Sequence, residues 1–238
     1  MSKSSVKILG YGVDGYNFEQ ALEYAQDNGG QVVTINPEMI LAAQKSTEFS
    51  QIINDAELVI PDGIGVQIGL QILGHKVKRI PGIEFGYSLL EKYSIAGKRV
   101  ALVGAKPEVI ALAVKNLKDK MPNLNIVYSH DGYFSDDNEI IKGLVESSAD
   151  LILIALGSPK QEFFISKLKS HMPKSLMVGL GGSFDVWAGV VKRAPKIYQK
   201  LGLEWLYRTV KEPQRFKRIF PTLPLFLLKV LKERVSRG

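Results

Sequence analysis

The chain has no cysteine, which excludes disulfides and thiolate metal sites. Its three histidines, His75, His130 and His171, are far apart and form no ligand-spaced pair, so a zinc site is not expected. Long apolar runs are missing too. The longest, Ile219 to Leu228, is ten residues broken by Pro221 and Pro224, whereas a membrane span needs about 20. The opening MSKSSVKILGYG has too short an apolar stretch for a signal peptide. These absences lead us to expect a protein that stays in the cytoplasm. Neither an internal repeat nor a low-complexity segment is visible.

What the chain does have is an uneven charge. The net charge is +7 over 238 residues. From Trp187 onward there are 13 Lys and Arg against three Glu, so the body before it is mildly acidic. A basic tail on an acidic body points to an anionic surface as partner. The length and the 45% hydrophobic content allow one large α/β domain, or one domain with an attachment.

Apolar runs of strand length alternate with helical patterns, the signature of a mostly parallel sheet with helices on both faces. The pattern predicts strands at Val6–Leu9, Gln31–Ile35, Leu58–Ile60, Arg99–Val103, Asn125–Tyr128, Leu151–Ala155 and Leu176–Gly179. It predicts helices at Phe18–Asp27, Pro37–Lys45, Phe49–Asp55, Gly65–Leu73, Gly82–Tyr93, Pro107–Met121, Asp136–Ser147 and Lys160–His171. Asn17 with Gln20 reads as a capping box, and Pro107 and Pro159 suit first-turn positions. After Pro195 the composition changes, which divides the chain into an α/β domain, 1–195, and a basic, partly apolar helical appendage, 196–238. The positive charge and the apolar block IFPTLPLFLLKVLKERVSRG occur together there, which favours an interfacial role at a membrane. The plainer alternative is a helix pair packed on the core. Self-association through the apolar face of this appendage is also open.

One motif misleads. Gly10-Tyr-Gly12-Val-Asp-Gly15 fits the G-x-G-x-x-G dinucleotide fingerprint. In that fingerprint the helix begins inside the glycine run, so that its N-terminus faces the pyrophosphate. Here the best helix start is Asn17, and the ribose-binding position falls at Ile35–Asn36 rather than on an acid. A tight turn between two short strands accounts for the glycines.

Polar clusters sit where strands should end, the edge at which open α/β sheets bind ligands. Thr34-Ile-Asn36-Pro37-Glu38 follows one strand and Pro61-Asp62-Gly63 the next. Asp62 is placed by a tight turn at the sheet edge, or else simply caps the following helix. Gly157-Ser158-Pro159-Lys160-Gln161 is a strand–turn–helix junction whose glycine, free N–H groups and Lys160 suit a phosphate or diphosphate. Gly181-Gly182-Ser183-Phe184-Asp185 is a second such turn, followed by Lys192 and Arg193. Arg79 lies in the Arg79-Ile-Pro81-Gly82 loop, and Arg208, Arg215 and Arg218 punctuate the appendage, each able to hold phosphate oxygens bidentately. Tyr133, in Asp131-Gly-Tyr-Phe134, is placed to stack on a nucleobase or to join the core.

TINPE, PDGIG, RIPG, HDGYF, ALGSPKQE, GLGGSFDVWAG, KRAP and LGLEWLYR…EPQRFKR together resemble the WecG/TagA/CpsF glycosyltransferases, in the same order and over about residues 8–220. Ile35 stands where a proline is usual in the first motif, and His130 is one residue farther from the glycine than is common. The resemblance implies a Rossmann-like core, no cofactor and no required metal. It implies an inverting transfer from a UDP-sugar, often UDP-N-acetylmannosamine, to a polyprenyl-diphosphate-linked sugar at the inner face of the membrane. By the same resemblance the appendage binds membrane and closes the site, Asp62 is the general base, and Thr34, Asn36 and Gln161 line the pocket. Arg79, Arg208, Arg215 and Arg218 match the family's basic positions. Asp185 and Glu38 stand in neighbouring loops as other candidate bases. A nucleic-acid-binding module, permitted by the basic pI, and an NAD-dependent oxidoreductase are the alternatives; no stacking strip of aromatics supports the first.

Overall fold

The computed structural model describes residues 5–200, 202–204, 206–207 and 216–237. The chain opens with a hairpin, β1 (Ser5–Ile8) and β2 (Tyr11–Asp14), paired antiparallel through Ile8 and Tyr11. Leu9 and Gly10 turn it with φ of 50° and 93°, the left-handed pair that a two-residue hairpin turn requires. The glycine run is thus a turn between strands, and the dinucleotide reading has no strand-to-helix loop to rest on.

Next come α1 (Phe18–Asn28), β3 (Gly30–Ile35), α2 (Pro37–Ala43), α3 (Thr47–Asn54), β4 (Leu58–Pro61), α4 (Ile64–Ile72) and α5 (Gly82–Ile95). The second half holds β5 (Arg99–Gly104), α6 (Pro107–Lys120), β6 (Asn125–His130), α7 (Asp137–Ser147), β7 (Leu151–Ala155), α8 (Lys160–Lys169), β8 (Leu176–Gly179) and the short α9 (Ser183–Trp187). In the tail, α10 spans Lys196–Lys200 and α11 spans Phe216–Arg237. The α1 start carries the expected capping box: Asn17 accepts from the Gln20 N–H, and Gln20 accepts from the Asn17 N–H. Pro107 takes the first turn of α6 as expected, whereas Pro159 precedes α8 after a cis peptide bond.

Six strands form one parallel sheet in the order β4-β3-β8-β7-β5-β6. Both faces are covered, so the central strands β7 and β8 are apolar throughout, while β3 buries Gln31 and Thr34 among its apolar residues. In β7, Leu151 and Leu153 point into one core with α1, α5 and α6, while Ile152 and Ile154 point into another with α7 and α8. A third core joins β3 and β4 to the hairpin, α2, α4 and α11.

The tail is fastened to this third core. Phe226 and Val230 of α11 are fully buried against α2 and α4, and burying such side chains contributes about 1.5–3 kcal/mol each. Gly65 and Gly69, one turn apart on α4, form the seat. A Cβ at Gly65 would stand 2.8 Å from Leu223, and one at Gly69 would stand 3.1 Å from the Phe226 ring. Farther along, Glu233 accepts the Leu9 N–H at 2.8 Å, tying α11 to the hairpin turn. Leu225, Leu228, Leu231 and Val235 remain exposed on the outer side beside Lys229 and Lys232. No described helix is long and apolar enough to cross a membrane.

Candidate functional site

The C-terminal ends of β3, β4, β7 and β8 surround a cavity of about 420 Å³. Thr34, Asn36, Asp62, Arg79, Gly157, Gln161, Gly181 and Gly182 all line it. Four β-to-α loops converge because parallel strands deliver every such loop to the same edge of the sheet, and the loop between α4 and α5 adds Arg79.

Asp62 lies at the floor. Its backbone N–H continues the sheet ladder to Ile35 O at 2.8 Å, which places the side chain over the strand ends. The carboxylate accepts the backbone N–H groups of Gly82 and Gly63. It therefore serves the first residue of α5, while α4, which begins after Gly63, has no side-chain cap. Close approach is possible because Gly82 has no side chain; a Cβ there would be 3.1 Å from Thr34 and 3.5 Å from the Asp62 oxygen. Burial pushes the Asp62 carboxyl up to about 6, opposed by the Gly82 N–H, the Arg79 charge and the Gly63 N–H and reinforced by Glu204. A carboxylate tuned into this range is suited to general-base work near neutral pH.

The surrounding polar groups are held from behind. Thr34 Oγ1 donates to Gly179 O at 3.1 Å. Asn36 caps α2 by accepting the Met39 N–H at 3.1 Å, leaving its amide nitrogen for the cavity. Gln161 is buried, and Glu162 beneath it is buried as well; loss of solvation raises the Glu162 carboxyl above the ordinary range. Arg79 is anchored through its backbone N–H to Gln67 Oε1 at 2.8 Å, and its guanidinium reaches Gln199 O of α10.

A second cavity, about 640 Å³, opens across the β7 and β8 loops from the first, at the ends of β5, β6 and β7. Tyr133 lines it with 72% of its surface exposed, facing Lys106, Lys160 and Asp185. Lys160 Nζ sits 4.8 Å from the Phe134 ring and donates to Gly132 O at 3.3 Å. Phe134, by contrast, packs inward against Phe164.

The structure thus separates residues that the sequence groups together. Gly157 and Gln161 face the first cavity, while Lys160 and Asp185 face the second. The free N–H groups expected at the start of α8 are partly used: Gln161 N donates to Gly157 O and Glu162 N to Pro159 O. Arg193 enters neither cavity, being paired with Glu84 at 2.6 Å and Glu204 at 3.5 Å. Arg208 and Arg215 lie outside the described residues, and for Arg218 only its helical backbone in α11 is described. Three contributors escaped the sequence reading. Glu204 sits in the tail, counted there only as charge; Glu162 closes the ALGSPKQE motif, where the sequence gives it no role of its own. Lys106 had a usable signal, because Gly104-Ala-Lys106-Pro107 repeats the strand–glycine–proline–helix pattern of residues 155–160. Among the described residues no three His, Asp or Glu side chains converge to hold a metal ion.

The chain matches the Glycosyl transferase WecG/TagA/CpsF family over residues 6–238. It belongs to that family. Among the relatives of this glycosyltransferase are two N-acetylglucosaminyldiphosphoundecaprenol N-acetyl-beta-D-mannosaminyltransferases. The one from Bacillus spizizenii (strain ATCC 23059 / NRRL B-14472 / W23) is 38% identical over 213 residues, covering 89% of this chain and 82% of its own. The one from Bacillus subtilis (strain 168) is 37% identical over 213 residues, covering 89% and 83%. The match includes the tail, so α11 belongs to the family unit and not to an unrelated extension.

Proposed function

We propose that this glycosyltransferase moves N-acetylmannosamine or a related hexose from a UDP-sugar to a polyprenyl-diphosphate-linked acceptor, with inversion, at the inner face of the membrane. The observation that carries the proposal is Asp62: a carboxylate with its pKa raised to about 6, on the floor of a polar cavity, among Thr34, Asn36, Arg79 and Gln161. The names of the two Bacillus relatives supply the substrate class.

In a single displacement the acceptor hydroxyl attacks the anomeric carbon from the face opposite UDP, the new glycosidic bond forms as the bond to UDP breaks, and the hydroxyl proton passes to Asp62. A positioned base of this kind contributes about 10²–10⁴-fold. The leaving diphosphate gains charge, which Arg79 is placed to stabilise from the first cavity and Lys160 from the second. Tyr133, with its ring exposed, offers a stacking surface for uracil, and Asp185 beside it an acceptor for the uracil imide N–H. Arg208, Arg215 and Arg218 of the tail are the further phosphate ligands in this reading, and the exposed leucines and lysines of α11 are its membrane contact. The appendage from residue 196 then acts both as anchor and as a catalytic part.

The test is release of UDP from a panel of UDP-sugars in the presence of a short-chain lipid-diphosphate-GlcNAc acceptor and EDTA. Acceptor-dependent release from one donor is expected, with no requirement for added metal. Lack of UDP binding to the same protein would sink the proposal.

A further inference from the structure

The first cavity has an apolar side arm. Where α2 and α11 lie together, Pro37, Ile64, Gly65 and Leu223 enclose a pocket of about 190 Å³ that joins the cavity past Asn36, Glu38 and Gly63. Past Thr222 it continues into a groove of about 590 Å³ between Leu41 and Ala42 on one side and Pro221 and Leu225 on the other. At the outer end stand Lys45 and Lys229, and the next turn of α11 presents Leu228, 64% exposed. The route thus runs from Asp62 to the exposed leucine ridge of the tail.

We infer that this groove receives the first isoprene units of the acceptor's polyprenyl chain. The inference rests on the transferase reading above and adds the path of the lipid. An acceptor of this class is a polar sugar diphosphate joined at one atom to a long hydrocarbon. Once its hydroxyl is beside Asp62, the hydrocarbon must leave the polar cavity, and an apolar exit gains about 25 cal/mol for each Å² removed from water. The second cavity does not lead to the tail: Lys106, Lys160 and Asp185 line it, and no described residue of α11 does. The arm between α2 and α11 has the matching chemistry, begins within reach of the base and ends at the surface suited to a bilayer.

The test compares acceptors carrying one isoprene unit with acceptors carrying several, all below the concentration at which micelles form. For the wild-type protein, kcat/KM is expected to rise at least tenfold with chain length. Ala42→Trp fills the groove from its exposed wall, and Leu225→Asp places a charge in it. Either variant should flatten the dependence on chain length by raising KM for the long acceptor. A wild-type enzyme indifferent to chain length, or two folded variants that keep the full dependence, overturns the groove while leaving the transferase standing. Failure of the wild-type protein to transfer to any acceptor overturns the transferase reading itself, and the groove with it.

Discussion

Gln161 Nε2 donates to Glu162 Oε1 at 2.7 Å, while Gln161 Oε1 accepts the Gly181 N–H at 3.0 Å. Glu162 from α8 and the Gly181 N–H from the loop after β8 thus fix which end of the Gln161 amide faces which wall of the first cavity, and both Gln161 and Glu162 are buried. A hydrogen bond to a charged partner contributes about 1.5–3 kcal/mol, and leaving a buried donor unmet costs a similar amount.

Glu162→Gln offers the Gln161 amide a second orientation. We expect turnover to fall about tenfold or more, with UDP affinity nearly unchanged, as judged by separate kcat, KM and UDP-binding measurements. Glu162→Ala, which leaves the amide unpaired, should also lower the melting temperature. A Glu162→Gln enzyme with wild-type kcat would show that Gln161 needs no such support.

Asp62 makes a prediction with a sign. Its carboxyl titrates near 6 in the folded chain and near 3.9 when unfolded. Between about pH 4 and pH 6 the folded state therefore binds more protons, and stability falls as pH rises through that window. Asp62→Asn should lose about 10²–10⁴-fold in turnover yet melt higher than wild type above pH 6, the advantage vanishing below about pH 4. Wild-type activity should rise with pH through about 6. Equal melting curves at pH 4 and pH 8 would argue that the carboxyl is not held in this raised state.

The glycine seat of α11 can be filled. A Cβ at Gly69 already meets Ile8 at 2.7 Å and Phe226 at 3.1 Å, so Gly69→Val should cost about 1–3 kcal/mol by overpacking. Limited proteolysis should then release the tail before the body is cut. Phe226→Ala opens a cavity at the same contact and should cost about 3–5 kcal/mol. If either variant keeps a wild-type tail and melting point, α11 is held elsewhere.

Tyr133 should act in donor binding alone. Base stacking on an aromatic ring is worth about 1–3 kcal/mol, so Tyr133→Ala is expected to weaken UDP binding by about 5- to 150-fold in calorimetry. Because the ring is largely exposed, the melting point should hardly move. Unchanged UDP affinity would exclude the second cavity as the base site.

Much of this architecture is legible in the sequence, for a physical reason. A parallel sheet buried on both faces needs uninterrupted apolar runs, and Leu151–Ala155 and Leu176–Gly179 show them with their observed limits. Asp62 and Gln161 are readable because short loops leave a strand end and a helix start with few places for a polar side chain. What stays hidden depends on distant packing. Nothing local says that Glu233 will meet the Leu9 N–H 224 residues away, that Arg193 will be taken by two carboxylates, or that Glu204 will reach the wall of the cavity. Lys160 and Gln161 are neighbours in sequence, yet the turn into α8 sends them into different cavities, a division that the linear motif cannot express.

The strand order has a consequence for how the protein comes into being. Neither β3 with β4 nor β5 with β6 touches the other pair; β7 and β8, made last, are wedged between them. Gly30 pairs with Leu176 and Val100 with Leu151, so a nascent chain that stops before residue 150 holds two separate ribbons and neither cavity. Closure across such separations is slow, because the entropy of long loops must be overcome before the contacts form. Both cavities and the cooperative sheet should therefore appear in one kinetic step, with no half-length fragment holding either cavity.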